Sequence, residues 1–273
     1  MTDQVAAHYS GSGGLAEAIA ESLRSAGKNL DEFDTADLQT IDEYHVRGRE
    51  ATLELAERMM LSEGDRVLDI GSGLGGPART LAAAYGCHVT GVDLTQEFCD
   101  SAGILSGWVG LGQRTAFQRG DATNLPFGDE EFDAAMTIHA AMNIAAKDKL
   151  YEEARRVVKP GRIFAVYDIL QGEGGDAVFP VPWADQSSIS YLVTPEEMES
   201  LLASAGFEIL DAHDSTHEGR MWYEAMVERM ERAGPPDLNF QAFVGADFPE
   251  MARNQVRNLT ERRIRTVSYI CRA

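Results

Sequence analysis

The residues of this chain that could do chemistry begin with a run of glycines behind an aspartate. Val67-Leu68-Asp69-Ile70-Gly71-Ser72-Gly73-Leu74-Gly75-Gly76 reads as a strand, a glycine loop and the start of a helix. Glycines turn the backbone sharply and let it approach a ligand, and a helix N-terminus beyond them offers free N–H groups. Such a loop also serves as a plain tight turn. Asp93 makes it more than that, because it ends the next apolar run, 20 residues after Gly73. That spacing sets a carboxylate beside the ribose hydroxyls of a nucleoside-bearing ligand. Asp121 follows a third run, in Gly120-Asp121-Ala122. Its short side chain can accept from an adenine amino group while the Ala122 N–H donates to the ring. With Ser72 and Leu94 in the flanking loops, these positions read as an adenosine site.

The elements that must position them follow from the hydrophobic period. Residues 66–70, 88–92, 115–118, 132–138 and 162–169 are short apolar runs, alternating with helical stretches at 75–85, 96–105 and 147–158. This order predicts parallel β-α-β units. Pro77 and Gly86 bracket the first of these helices, and Thr95 stands where it can cap the second. The first 60 residues read as helices, with Leu15, Ile19 and Leu23 on one face. Residues 171–176 read as a flexible turn, Val178–Trp183 as an ordered loop, and Thr194 with Glu197 as the capping box of another helix. Strands are expected at 207–212 and 263–272, around amphipathic segments at 221–232 and 250–261. The expected fold is α/β, a doubly wound and mostly parallel seven-stranded sheet. Residues 1–62 would form a helical cover, 63–170 the cofactor-binding core, and 171–273 a cap with the closing strands.

Nicotinamide enzymes usually carry G-x-G-x-x-G, whereas the glycines here fall at 71, 73, 75 and 76 behind Asp69. S-adenosylmethionine has no pyrophosphate for a helix dipole to hold. It has a sulfonium and an amino-acid head, and Asp69 can balance the positive charge directly or through water. At these motifs residues 64–212 resemble the class I S-adenosylmethionine-dependent methyltransferases. Val67–Gly75, Val89–Asp93 and Gly120–Ile138 look like their first three motifs. Leu125-Pro126-Phe127-Gly128-Asp129-Glu130-Glu131-Phe132-Asp133 is similar to their "LPF-D-FD" stretch, and Arg155–Gly161 to their "R-V-L-K-P-G-G" turn. Arg162 stands where that turn usually has a second glycine, a departure expected to stay remote from the cofactor. His45-x-x-Gly48-Arg49-x-Ala51-Thr52 resembles the N-terminal cover of small-molecule enzymes of the sarcosine/dimethylglycine and ubiquinone types. The resemblance implies a Rossmann-like methyltransferase fold, S-adenosylmethionine as cofactor and S-adenosylhomocysteine as product. It adds His45 and Arg49 to the cofactor set, Arg49 as a partner for a carboxylate of the cofactor or substrate. An exposed ion pair is the plainer reading of Arg49.

In an open α/β sheet ligands bind beyond the carboxyl ends of the strands. Ile138-His139-Ala140-Ala141-Met142-Asn143-Ile144 leaves the fourth strand at that edge, so His139 and Asn143 are the candidates to face the transferred methyl group. The plain alternatives are a backbone hydrogen bond for His139 and a helix cap for Asn143. His8, Tyr9 and Tyr44 are further candidates in the cover, and Asp168, Trp183, Trp222 and Tyr223 beyond the core. Trp183 can stack on a cationic acceptor or plug the core. Methyl transfer from a sulfonium is an in-line displacement in which the protein mainly positions the nucleophile and excludes water. A neutral amine needs no strong base, and an amine nitrogen is the favoured acceptor, with oxygen or carbon as alternatives that would need His139 as base. A cofactor-binding regulatory protein of the same fold is the competing reading.

Composition narrows the rest. Asp and Glu total 44 against 24 Lys and Arg, a net charge of −20, which repels nucleic acid and anionic membranes. This acidity fits an ordinary GC-rich genome or a high-salt habitat. No apolar run reaches membrane-spanning length, and the N-terminus carries no signal-peptide pattern. The three cysteines are too few for a disulfide framework, and His213 and His217 lack a third ligand, so no metal is expected. A cytoplasmic enzyme with a small-molecule acceptor is expected, and a homodimer is compatible with this reading. S-adenosylhomocysteine should raise the melting temperature in a thermal-shift assay and NAD should not. The opposite pattern would return the glycine loop to the nicotinamide class.

Overall fold

The computed structural model describes residues 14–25, 27, 34–234 and 248–273. In chain order the elements are α1 (Leu15–Ser25), α2 (Thr35–Asp42), α3 (Gly48–Glu57), β1 (Arg66–Ile70), α4 (Gly76–Tyr85), β2 (His88–Asp93), α5 (Gln96–Trp108) and β3 (Thr115–Arg119). β4 (Phe132–Ile138), α6 (Lys147–Val157), β5 (Val158–Gln171), α7 (Pro195–Ser204), β6 (Glu208–Asp214), α8 (Thr216–Ala233), α9 (Phe248–Thr260) and β7 (Ile264–Arg272) follow. The seven strands form one sheet in the order β3-β2-β1-β4-β5-β7-β6. β7 runs antiparallel between β5 and β6, and the other neighbouring pairs are parallel.

The central strands are buried on both faces because helices cover both. Val67, Ala134 and Met136 enter one apolar cluster while Leu68 and Ala135, next to them in sequence, enter the other. This is the two-residue period of a strand between two helical layers. Strand order reverses at β1, so the chain leaves β1 and β4 toward opposite faces and opens a crevice between their ends. The register puts Gly71 level with Asp93 and sends His139 out beside Tyr167. Their backbones are joined there: Gly71 and Ser72 donate to the Val92 carbonyl, and His139 donates to that of Tyr167.

Local signals explain most helix ends. Asp34 and Asp37 form a capping box at α2, as do Thr194 and Glu197 at α7. Gly86 ends α4 in the left-handed conformation. Thr95 does occupy the cap position of α5, but its hydroxyl makes no capping bond; its N–H donates to Asp93 instead. Arg162 donates to the Asp133 carbonyl and pairs with Asp65, away from the crevice. Among the described residues no helix is long and apolar enough to cross a membrane.

The helical cover is seated by apolar contact and by one buried ion pair. Ile19, Leu23, Leu38 and Ile41 pack with Leu74 of the glycine loop and Leu105 of α5. Arg79 on α4 is 1% exposed and pairs with Asp42 at 2.7 Å. It also donates to the carbonyls of Leu74 and Ala102 and to Ser106 Oγ. Burying an unpaired charge is costly, so removing one partner should destabilise by about 3–5 kcal/mol. Asp42→Ala is expected to show that loss in urea unfolding. The double replacement Asp42→Leu with Arg79→Met should recover much of it. A single-variant loss below ~1 kcal/mol would contradict the role given to this pair.

Candidate active site

A cavity of about 420 Å³ opens at the carboxyl ends of β1, β2, β4 and β5. One end is lined by Gly71, Ser72, Gly73, Asp93, Leu94, Asp121 and Ala122. The structure thus gathers most of the expected cofactor set from three loops. Gly73 has φ +50, and a Cβ built on it would meet nothing within 4 Å, so its open side faces the cavity. Asp93 accepts from the Gly73 N–H and the Thr95 N–H, one on each carboxylate oxygen, both at 2.9 Å. Each oxygen keeps a lone pair for a ribose hydroxyl. Asp121 accepts from the Thr123 N–H and hydroxyl through Oδ1, which fixes the side chain at the adenine end.

Three expected contacts fall elsewhere. Gly75 does not line the cavity; a Cβ there would lie 2.5 Å from the Phe117 ring, so packing demands this glycine. Arg49 also lies outside the lining and donates to Thr35 Oγ1 at 3.0 Å. Its charge acts on buried Glu43, which accepts from Thr52 and Thr80. Asp69 is buried beneath the loop without reaching the cavity wall. Burial, then Glu43 and Asp93, push its carboxyl up to about 8. Asp42 and Glu43 are raised in the same direction, first by burial. Acids held this way favour a cation nearby, and Asp42 Oδ1 and Ser72 Oγ are buried polar atoms of the wall without partners. An S-adenosylmethionine, with its sulfonium and ammonium, fits this donor and acceptor set.

The other end is apolar and aromatic, with Val46, Ile138, Met142, Ile169, Trp183 and Tyr223 in its wall. His45 and His139 lie there with ring centroids 5.8 Å apart. His45 Nε2 lies 2.9 Å from the Gly48 carbonyl and 3.1 Å from Thr52 Oγ1, whose proton goes to Glu43. Both partners can only accept, so Nε2 carries the hydrogen and Nδ1 is the acceptor nitrogen. Burial holds His45 down to about 4. His139 has φ +48, a left-handed conformation that costs a non-glycine residue free energy and occurs at functional turns. Its Nε2 is buried and has no hydrogen-bond partner among the described residues. Burial, and secondarily His45, hold it well below the usual imidazole range. The pH break expected near 6.5 for an unperturbed base therefore moves lower.

Asn143 lines the cavity as expected, and its side chain also has a structural task. Its amide donates to the carbonyls of Trp183 and Ile189 at 2.8 and 2.9 Å, so it fastens the loop that roofs the acceptor end. Trp183 is buried and donates to Ser190 Oγ, serving as wall and plug at once. Tyr223 lines the cavity and Trp222 packs on it edge to face. Asp168 is buried outside the lining, its carboxyl pushed up to about 7 by burial against the pull of Lys147. Sequence reasoning passed over that lysine, whose ammonium donates to the carbonyls of Ala141, Ile144 and Tyr191. Only its position at the start of an amphipathic helix was visible. It also passed over Gln255. His8 and Tyr9 lie outside the described residues.

A mostly parallel sheet in this order, with the glycine loop and two acids at its switch point, defines a Rossmann-like methyltransferase fold. Residues 68–166 match the family of methyltransferase domains. A sterol 24-C-methyltransferase of Gibberella zeae is 34% identical over 190 residues, 66% of this chain and 50% of that one. The methyltransferase GfsG of Streptomyces halstedii is 30% identical over 187 residues, 67% of each chain. The chain thus spans about half the length of the sterol methyltransferase that it matches. Two solved structures superpose on it. The phosphoethanolamine N-methyltransferase 2 of Haemonchus contortus does so with a TM-score of 0.75 at 19% identity, over 98% of this chain and 60% of that one. The [4+2]-cyclase SpnF does so with a TM-score of 0.67 at 25% identity, over 93% and 92%. The chain belongs to the class I S-adenosylmethionine-dependent methyltransferase family.

Gly73→Val tests the cradle. The side chain enters the cavity at a left-handed position, so S-adenosylhomocysteine binding should weaken by more than 100-fold in calorimetry. The protein should still unfold cooperatively, with a strain cost of about 1–2 kcal/mol. A variant that binds normally would reduce the loop to a turn.

Proposed function

We propose that this chain transfers a methyl group from S-adenosylmethionine to a small, mainly apolar acceptor, at oxygen or carbon. One observation carries the proposal: a single cavity joins the Asp93 and Asp121 end to an apolar end with a neutral histidine. Among the described residues the acids of the lining are Asp42, Asp93 and Asp121. Asp42 is paired with Arg79, and the other two belong to the adenosine end. The acceptor end therefore offers no carboxylate to a substituted ammonium, and the amine expected from sequence loses its support. The sterol 24-C-methyltransferase relationship points the same way, toward an acceptor with little charge.

When bound, S-adenosylmethionine supplies an activated methyl group for in-line displacement. Asp93 holds the ribose and Asp121 with Ala122 holds the adenine. Asp42 and Ser72 face the ammonium of the amino-acid head. Met142, Ile169, Trp183 and Tyr223 keep water from the acceptor, so its nucleophilic atom stays in place and poorly solvated. His139 takes the proton of a hydroxyl or an acidic carbon at Nε2. We further propose a division into cover, core and cap near residues 62 and 170, and a cytoplasmic setting, which three buried unpaired cysteines support. A second reading, a cofactor-binding protein that moves no methyl group, is favoured by the match to SpnF over 92% of that chain.

Methyl-labelled S-adenosylmethionine incubated with an apolar metabolite extract decides between them. Label in an apolar product supports transfer, and cofactor binding without labelled product supports the second reading. With an acceptor in hand, His139→Ala should lower kcat by about 10²–10⁴-fold with little change in S-adenosylhomocysteine affinity. A base held below 6.5 is already deprotonated at neutral pH. The wild-type rate should therefore stay level from pH 8 to 6.5 and fall only below that. Wild-type kinetics in the variant would remove His139 from the reaction.

A further inference from the structure

Gln255 is the one wall residue of the acceptor end that reaches it from α9, and it is 1% exposed. Its Oε1 is buried and has no hydrogen-bond partner among the described residues. A buried polar atom left unpaired costs free energy, so a natural site that keeps one has a partner to receive. None of the described residues supplies that partner, and the surrounding wall is apolar enough to make a ligand group a better candidate than water. The helix that carries the amide is also held in place. Its neighbour Asn254 donates to the Pro180 carbonyl at 2.9 Å. One helical turn from Asn254, Asn258 donates to the Val178 carbonyl and accepts from the Val178 N–H at 3.0 and 2.8 Å. These bonds fasten α9 to the 178–180 loop on both sides of Gln255, so the backbone that carries the amide is fixed before anything binds.

We propose that Gln255 is a specificity residue that selects an acceptor carrying a hydroxyl on an otherwise apolar body. The inference deepens the function proposed above and rests on it. An amide oxygen can only accept, so the ligand must bring a donor. The donor must be neutral. An ammonium would lose its hydration in a wall where, among the described residues, the only lining carboxylates are Asp42, held by Arg79, and Asp93 and Asp121 beside the glycine loop. A hydroxyl meets both conditions. The second unpartnered buried atom of this end is His139 Nε2, on the far side of the chain from α9 in sequence. One hydroxyl has a single proton to give. The group held by Gln255 is therefore an anchor when the reacting atom faces His139, and the same two acceptors would serve an acceptor with two hydroxyls.

The test measures binding to the S-adenosylhomocysteine-loaded protein by calorimetry. The probes are geraniol, farnesol and 2-naphthol, each beside its counterpart without oxygen, together with geranylamine. The wild type should bind at least one alcohol tenfold or more tightly than its hydrocarbon counterpart, and geraniol more tightly than geranylamine. Gln255→Leu should lose that discrimination and bind the hydrocarbons at least as well as the wild type does, with S-adenosylhomocysteine affinity unchanged. Should Gln255→Leu fail to fold, Gln255→Met and the wild-type comparison carry the test. Equal binding of alcohol and hydrocarbon by the wild type, preference for the amine, unaltered discrimination in the variant, or no binding of any alcohol each overturns the proposal. Loss of S-adenosylhomocysteine binding by the wild type would instead overturn the function on which it rests.

Discussion

The arrangement of this molecule depends on the buried guanidinium of Arg79. It stands on the first helix after the glycine loop and reaches three separate segments. It pairs with Asp42 at the end of the cover and donates to the Leu74 carbonyl inside the loop. It also ties to Ala102 and Ser106 on the neighbouring helix. A charge in such a place is tolerated only when its hydrogen bonds are met. The loop, cover and α5 are therefore held in one relative position or the charge is stranded. Gly76 shows how close the parts come, since a Cβ there would lie 2.1 Å from the Asp42 carbonyl oxygen. The cover is thus part of the cavity wall from the start, and Asp42, Tyr44 and His45 reach the cavity because of it.

Around that anchor the electrostatics are deliberately unbalanced. Burial and mutual repulsion raise Asp42, Glu43, Asp69 and Asp93, and Arg79 is the cation that offsets them. Acids raised in this way gain from a positive ligand beside them. A few residues away the acceptor end carries neither sign. The proposed function rests on this difference between the two ends of one cavity, a charged methyl donor beside an uncharged recipient. On the proposed reading this contrast favours an apolar acceptor over the amine nitrogen expected from the sequence.

What the sequence disclosed was local. The β1 run with its glycines, Asp93 at the end of β2 and Asp121 beyond β3 are contiguous patterns whose spacing follows from strand and loop lengths. The parallel register then delivers them to one edge. The capping box at Thr194 and the end at Gly86 are equally local. The rest depended on partners far along the chain. Asn143 does line the cavity, yet its amide is also bonded to the carbonyls of Trp183 and Ile189, which no local pattern discloses. Gly75 belongs to the loop motif, yet Phe117 on β3 dictates its small size. Arg49 carries a charge suited to a carboxylate, but its helix turns it toward Thr35. Gln255 was hidden because a glutamine in an amphipathic helix ordinarily faces water; its burial depends on the strapping of α9 to the 178–180 loop.

A crystal structure with S-adenosylhomocysteine tests the central claim most directly, because the account fixes the direction in which the ligand lies. The ribose hydroxyls should rest on Asp93, the adenine beside Asp121 and Ala122, and the sulfur should open toward His139 and the apolar end. A ligand lying in the reverse direction, or bound with its sulfur turned away from that end, would contradict the assignment of the two halves of the cavity.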